Sequence, residues 1–196
     1  MLSTIIWAIA LLIAITIHEF SHALTADKLG DPTASLAGRI SLNPLKHLDP
    51  IGTLMLLFFR FGWGKPVPFD PFNLRHPKRD TALISLAGPA SNLILALVCA
   101  LILKLIPTAF ITSIILIPII IMNVNLAIFN LLPIPPLDGA KILYGFLPMN
   151  WADEYNDFMG SYGTILLILL ILPIGGASLA IKLIMPVINL ITQLLL

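Results

Sequence analysis

Residues 81–103 and 105–137 carry no charged side chain at all. Roughly 20 apolar residues cross the ~30 Å hydrocarbon layer of a bilayer as a helix. A helix is the form such a run must take there, because its amides find no partners outside their own backbone. The rest of the chain agrees: 58% of its 196 residues are hydrophobic and 11% are charged, where a soluble domain carries about 25%. The mean hydropathy is +0.99. The chain is therefore read as an all-α polytopic integral membrane protein seated in a lipid bilayer. Its net charge of +1, without a basic and aromatic cluster, gives no ground for nucleic acid as a partner. The single cysteine, Cys99, lies in an apolar run, so neither a disulfide framework nor a cysteine metal site is expected.

Three spans are expected at about 2–25, 81–103 and 109–132, and Pro118 is a place for a kink in the third. The N-terminal run lacks a basic leader and a small-residue cleavage site and leads straight into His18, so it reads as a retained helix. A polar stretch from Trp151 to Tyr162 separates this core from one or two C-terminal spans, at about 163–172 and 177–196, or from a re-entrant pair. Residues 1–140 form one unit on this reading and 141–196 a C-terminal membrane region.

Eight of the 11 Lys and Arg residues, from Lys28 to Arg79, lie between the first two spans. The positive-inside rule makes that loop cytoplasmic and the N-terminus extracytoplasmic. Within the loop, Ile51 to Trp63 is apolar but too short to span. Alternating prolines in Gly64-Lys65-Pro66-Val67-Pro68 predict an extended segment or sheet edge. A β-hairpin dipping into the membrane near 51–69 and an interfacial loop with apolar anchors are both open readings.

His18 and His22 in His-Glu-Phe-Ser-His are four residues apart, hence one turn apart on one helix face. Two imidazoles so placed grip one Zn²⁺, with Glu19 beside them as general base. Ionisable groups are expensive within a membrane helix, and a divalent cation compensates for three of them clustered together. A catalytic zinc takes three protein ligands. Asp138, after the proline-broken Asn130 to Leu137, is the candidate for the third. Spans one and three both run from outside to inside, so their C-terminal ends meet on the cytoplasmic side. At 1.5 Å per residue His18 lies about 24 Å from Leu2, within the membrane but nearer the cytoplasm.

These stretches resemble the site-2 protease family of intramembrane zinc metalloproteases (peptidase M50-like), in a short form without PDZ-like or CBS-like regions. The resemblance rests on residues 18–22, on Gly38 through Thr53, on Gly88-Pro89-Ala90-Ser91-Asn92 and on Asn130 through Gly139, in that order. It implies a three-helix catalytic core and one Zn²⁺ per active site, held by His18, His22 and Asp138. It also implies Glu19 as the activator of water, and Asn92 and Asn130 as holders of substrate or oxyanion. A hairpin near Gly62 to Phe69, a prokaryotic plasma membrane and a transmembrane protein as substrate follow as expectations. Among other polar residues, Asn123 and Asn125 read as interhelical hydrogen-bonders, and His47 and Asp49 as turn residues. The rival from another class is a metal transporter or metal sensor using the same ligands. A transporter calls for repeats or an escape route on each side, and Glu19 is superfluous to binding alone.

Overall fold

The computed structural model describes residues 2–59, 63–106, 110–173, 176 and 178–196. Helix α1 (Leu2–Lys28) has no Gly or Pro to interrupt it. It stops at Gly30, whose φ of 108° suits a residue without Cβ, and there the Asp31 amide turns back to donate to the Ala26 carbonyl. Pro32 prevents any continuation. A single turn, α2 (Thr33–Leu36), follows.

Helix α3 (Pro50–Phe59) occupies the short apolar run, where a hairpin was one of the expectations. The expectation fails because Asp49 and Pro50 together form a helix start. The Asp49 carboxylate accepts from the Gly52 amide at 2.7 Å, its carbonyl accepts from the Thr53 amide at 2.8 Å, and Pro50 needs no donor there. Gly62, where the expected hairpin near Gly62 to Phe69 begins, lies outside the described residues. The described residues contain no strand, and an isolated antiparallel bridge between Leu48 and Gly64 is the one trace of sheet pairing among them. Residues 65–70 lie in no helix, as their prolines require, and Asp70 has extended angles (φ −112°, ψ 110°).

Helix α4 (Pro77–Leu105) starts on Pro77, with the Asp80 carboxylate accepting from the His76 amide at 2.9 Å. Helix α5 (Phe110–Asn130) passes through Pro118 without a break. After a non-helical turn come α6 (Asp138–Phe146), α7 (Met149–Ile171) and α8 (Leu179–Leu195). Helix α7 differs from expectation. The polar stretch from Trp151 to Tyr162 and the expected span at 163–172 form one 23-residue helix. Nothing in it breaks a helix, and Asp153, Glu154 and Asp157 lie on turns exposed to solvent.

Three helices, Ser3–Lys28, Pro77–Leu105 and Ser113–Asn130, are long and apolar enough to cross a membrane. They pack on one another, and α6 lies against α4. Alanines 10, 14, 96 and 100 are buried at these contacts beside Ile120 and Val124. Small residues let helices approach closely where lipid supplies no hydrophobic drive to associate them. Large apolar side chains such as Ile94, Leu97, Leu101 and Leu190 face outward, as lipid-facing surfaces require. Helix α8 packs on α5 and α7.

Candidate metal centre and its surroundings

Helix α1 presents His18 and His22 one turn apart, with ring centroids 4.6 Å from each other. Both are buried. Asp138, the first residue of α6, comes to them because α6 packs on α4 and its start lies against the Leu131–Leu132 turn that follows α5. A Cβ on Gly139 would sit 2.3 Å from the Leu131 carbonyl oxygen, so only glycine permits that approach. The Asp138 Oδ2 lies 3.0 Å from His18 Nε2 and 3.3 Å from His22 Nε2. It is buried and lacks a hydrogen bond of ordinary geometry.

The far nitrogens explain which atoms face inward. His22 Nδ1 is 2.7 Å from the Ile84 carbonyl oxygen, which can only accept. His18 Nδ1 is 2.7 Å from Asn92 Oδ1. The Asn92 amide nitrogen donates to the Ala14 carbonyl at 2.9 Å and to Asn123 Oδ1 at 2.7 Å, which fixes its oxygen as the acceptor. Asn123 in turn donates to the Ile119 carbonyl at 2.8 Å. Both Nδ1 atoms therefore carry protons, and each ring turns its Nε2, the atom a metal would take, toward a carboxylate oxygen. Three acceptors meeting in a buried space repel one another unless a cation lies among them. Two nitrogens and one oxygen are a donor set that suits Zn²⁺. Burial favours the neutral Asp138 carboxyl, but hydrogen bonds and charge from the two imidazoles outweigh it and hold this group well below the usual carboxylate range.

Gly88 of α4 lies directly on the two imidazole rings. A Cβ there would sit 2.4 Å from His22 Nε2 and 2.7 Å from His18 Cε1. Glu19 accepts a 3.1 Å hydrogen bond from the Val67 amide, so the extended segment covers the carboxylate beside the metal site. That segment is anchored elsewhere too. The Lys65 amide donates to the His47 carbonyl at 2.8 Å. The Arg39 guanidinium donates to the Pro66 carbonyl at 3.0 Å and to the Lys65 carbonyl at 2.5 Å. Asp31 accepts from the Asp70 amide at 2.7 Å and from the Asn73 side chain at 2.8 Å.

The site opens two ways. A polar cavity of about 120 Å³ is lined by Glu19, Ser85, Asn130 and Lys141. An apolar cleft of about 420 Å³ reaches His18 and Glu19 past Leu11, Ile15, Phe129 and Leu167. Asn130 lines both, while its amide nitrogen donates to the Leu126 carbonyl at 2.9 Å. Asn92 lines neither; it is fully buried behind His18. Arg39, Val67 and the second-layer Asn123 drew no site assignment from the sequence. An arginine set in a weakly charged turn was the one available signal, and its partner cannot be read from spacing.

Two comparisons bear on what such a site belongs to. The description "Peptidase family M50" matches residues 107–172, the stretch that carries Asn130 and Asp138. A Bacillus subtilis protein named "Putative zinc metalloprotease YwhC" is 40% identical over 178 residues, covering 86% of this chain and 81% of the relative. The chain belongs to peptidase family M50. Proteins named "Putative zinc metalloprotease Rip2" from Mycolicibacterium smegmatis and Mycobacterium tuberculosis are 33% and 32% identical over 140 residues. This M50 chain spans 53% of their length. No solved structure matches it. An M50 peptidase with three membrane-capable helices is an integral membrane protein, and Zn²⁺ is the metal the family implies.

Proposed function

We propose that this M50 peptidase is an intramembrane zinc protease that hydrolyses peptide bonds in transmembrane segments of other membrane proteins. The observation that carries the reading is the meeting of His18 Nε2, His22 Nε2 and Asp138 Oδ2 within 4.8 Å at the end of an apolar cleft. His18, His22 and Asp138 hold the metal. Bound Zn²⁺ supplies Lewis acidity, polarising a carbonyl and making water nucleophilic near neutral pH. Glu19 takes the proton from the attacking water and delivers it to the leaving amine nitrogen. Asn92 and the Ile84 carbonyl orient the two imidazoles, so Asn92 serves His18 and not the substrate. Asn130, which faces both openings, is assigned to the substrate backbone or the developing oxyanion, a role worth several kcal/mol in typical enzymes.

The apolar cleft receives the substrate and the polar cavity admits water. Residues 1–140 form the catalytic core, and Leu167 and Ile171 of the C-terminal region wall the cleft. The basic residues between α1 and α4 favour a cytoplasmic position for that loop and for the active site, with an extracytoplasmic N-terminus. Bacterial relatives support a prokaryotic plasma membrane. The test is a fluorescent transmembrane peptide reconstituted with the purified protein in liposomes. Cleavage should stop on chelation and return with zinc, and Glu19→Gln should keep the metal while losing turnover. Undiminished turnover by Glu19→Gln would overturn the assigned chemistry.

A further inference from the structure

Successive residues on a helix are about 100° apart, so a face carrying His18 and His22 does not also carry Glu19. Something outside α1 must hold the Glu19 carboxylate over the site. The Val67 amide does so, and Val67 lies in a segment with few backbone donors of its own. Pro66 and Pro68 have no N–H, so the carbonyls of Lys65 and Pro66 take their donors from elsewhere. Both are met by one guanidinium, that of Arg39. Arg39 is buried, and its own amide is fixed to the Ala34 carbonyl at 2.9 Å. Its Nε is buried with no hydrogen-bond partner among the described residues. Burial lowers the guanidinium's affinity for its proton, and the nearby Glu19 charge partly restores it. A buried cation so incompletely paired is costly as a mere structural element.

We propose that Arg39 is the positioning residue for Glu19: its two-pronged grip on the Lys65 and Pro66 carbonyls sets the Val67 amide that holds the Glu19 carboxylate in line with the metal site. The proposal rests on the reading of Glu19 as the base. A lysine in its place offers a point charge and cannot span two consecutive carbonyls as a planar fork does. Arg39→Lys and Arg39→Gln should therefore both lower kcat by roughly 10- to 100-fold, the usual effect of a small misplacement of a catalytic group. KM should stay near its native value, since Arg39 touches no substrate cleft. Zinc content should stay at the native level, because neither imidazole contacts Arg39. Added guanidinium ion should restore part of the turnover of Arg39→Gln.

A readout independent of turnover is hydrogen exchange in a peptide covering residues 64–69, where the Lys65 and Val67 amides should lose protection in both variants. Unchanged protection overturns the proposal, as does native kcat. Loss of zinc in step with kcat also overturns it, because Arg39 would then be supporting the whole fold. Glu19→Gln is run in the same assay. If it retains turnover, the reading of Glu19 as base fails and this inference falls with it. If Glu19→Gln is inactive while both Arg39 variants turn over normally, only the role of Arg39 is lost.

Discussion

Gly88 is the residue whose replacement separates stability from function most cleanly. By helix propensity alone an alanine is favoured over glycine by about 1 kcal/mol. Yet a Cβ at this position would stand 2.4 Å from His22 Nε2, so the imidazoles must leave their places. Gly88→Ala is expected to keep helix content by circular dichroism while losing most bound zinc by elemental analysis; native zinc content would show that the rings have room to move. Asn92→Ala should weaken zinc binding 10- to 100-fold, as removal of an outer partner of a ligating histidine commonly does. Competition with a zinc chelator measures it, and Asn123→Ala, one bond further out, should have the smaller effect. The sequence displayed His18, Glu19 and His22 openly, because helical spacing alone puts the two histidines together. It displayed Asp138 through a proline-broken turn at the right end of a span. Asn92's part was hidden, since a buried amide's partners depend on which helix faces it, and periodicity carries no such information.

The segment covering Glu19 is stabilised at its far end by Asp31. Burial alone would raise the Asp31 carboxyl, but hydrogen bonds from Thr33, Asn73 and the Asp70 amide outweigh it and hold its pKa below the ordinary carboxylate value. A lowered folded-state pKa contributes stability above the ordinary value, and that contribution is lost as pH falls through the lowered one. Asp31→Asn should thus lower the thermal midpoint at neutral pH, with the difference from native shrinking as the solution is acidified below about pH 4. A constant difference across that range would assign the effect to shape and not to charge. Helix α3 was illegible for a related reason. Its apolar run fits either a hairpin or a helix, and the Asp49-Pro50 start that decides between them is a local signal outweighed by the prolines that follow. Those prolines predicted the extended stretch well. They did not foretell that its Lys65 and Val67 amides and its Lys65 and Pro66 carbonyls are already engaged, which leaves little of this edge for pairing with a substrate strand.

For the molecule as a whole, the three spans were legible because apolar length is a global constraint, and only their ends moved, by a few residues each. A cleft of apolar walls ending at polar chemistry implies that a substrate helix must open before its carbonyls are reached. Gly or Pro near the scissile bond lowers helix stability by about 1 or 3 kcal/mol, so a series of peptides of constant length should be cleaved faster in that order than those with Leu or Ala. Rates in liposomes that ignore propensity at equal binding would mean that opening is not limiting. The three proposed ligands lie far apart along the chain, His18 and His22 in the first helix and Asp138 at the start of the sixth. During synthesis, the histidine pair enters the bilayer while the carboxylate is still unmade. On the proposed assignment, a chain whose synthesis has not reached Asp138 holds two of three ligands and lacks the turn that delivers the last. On that assignment, competence to cut waits for the turn before α6, and the first helix enters the bilayer without it.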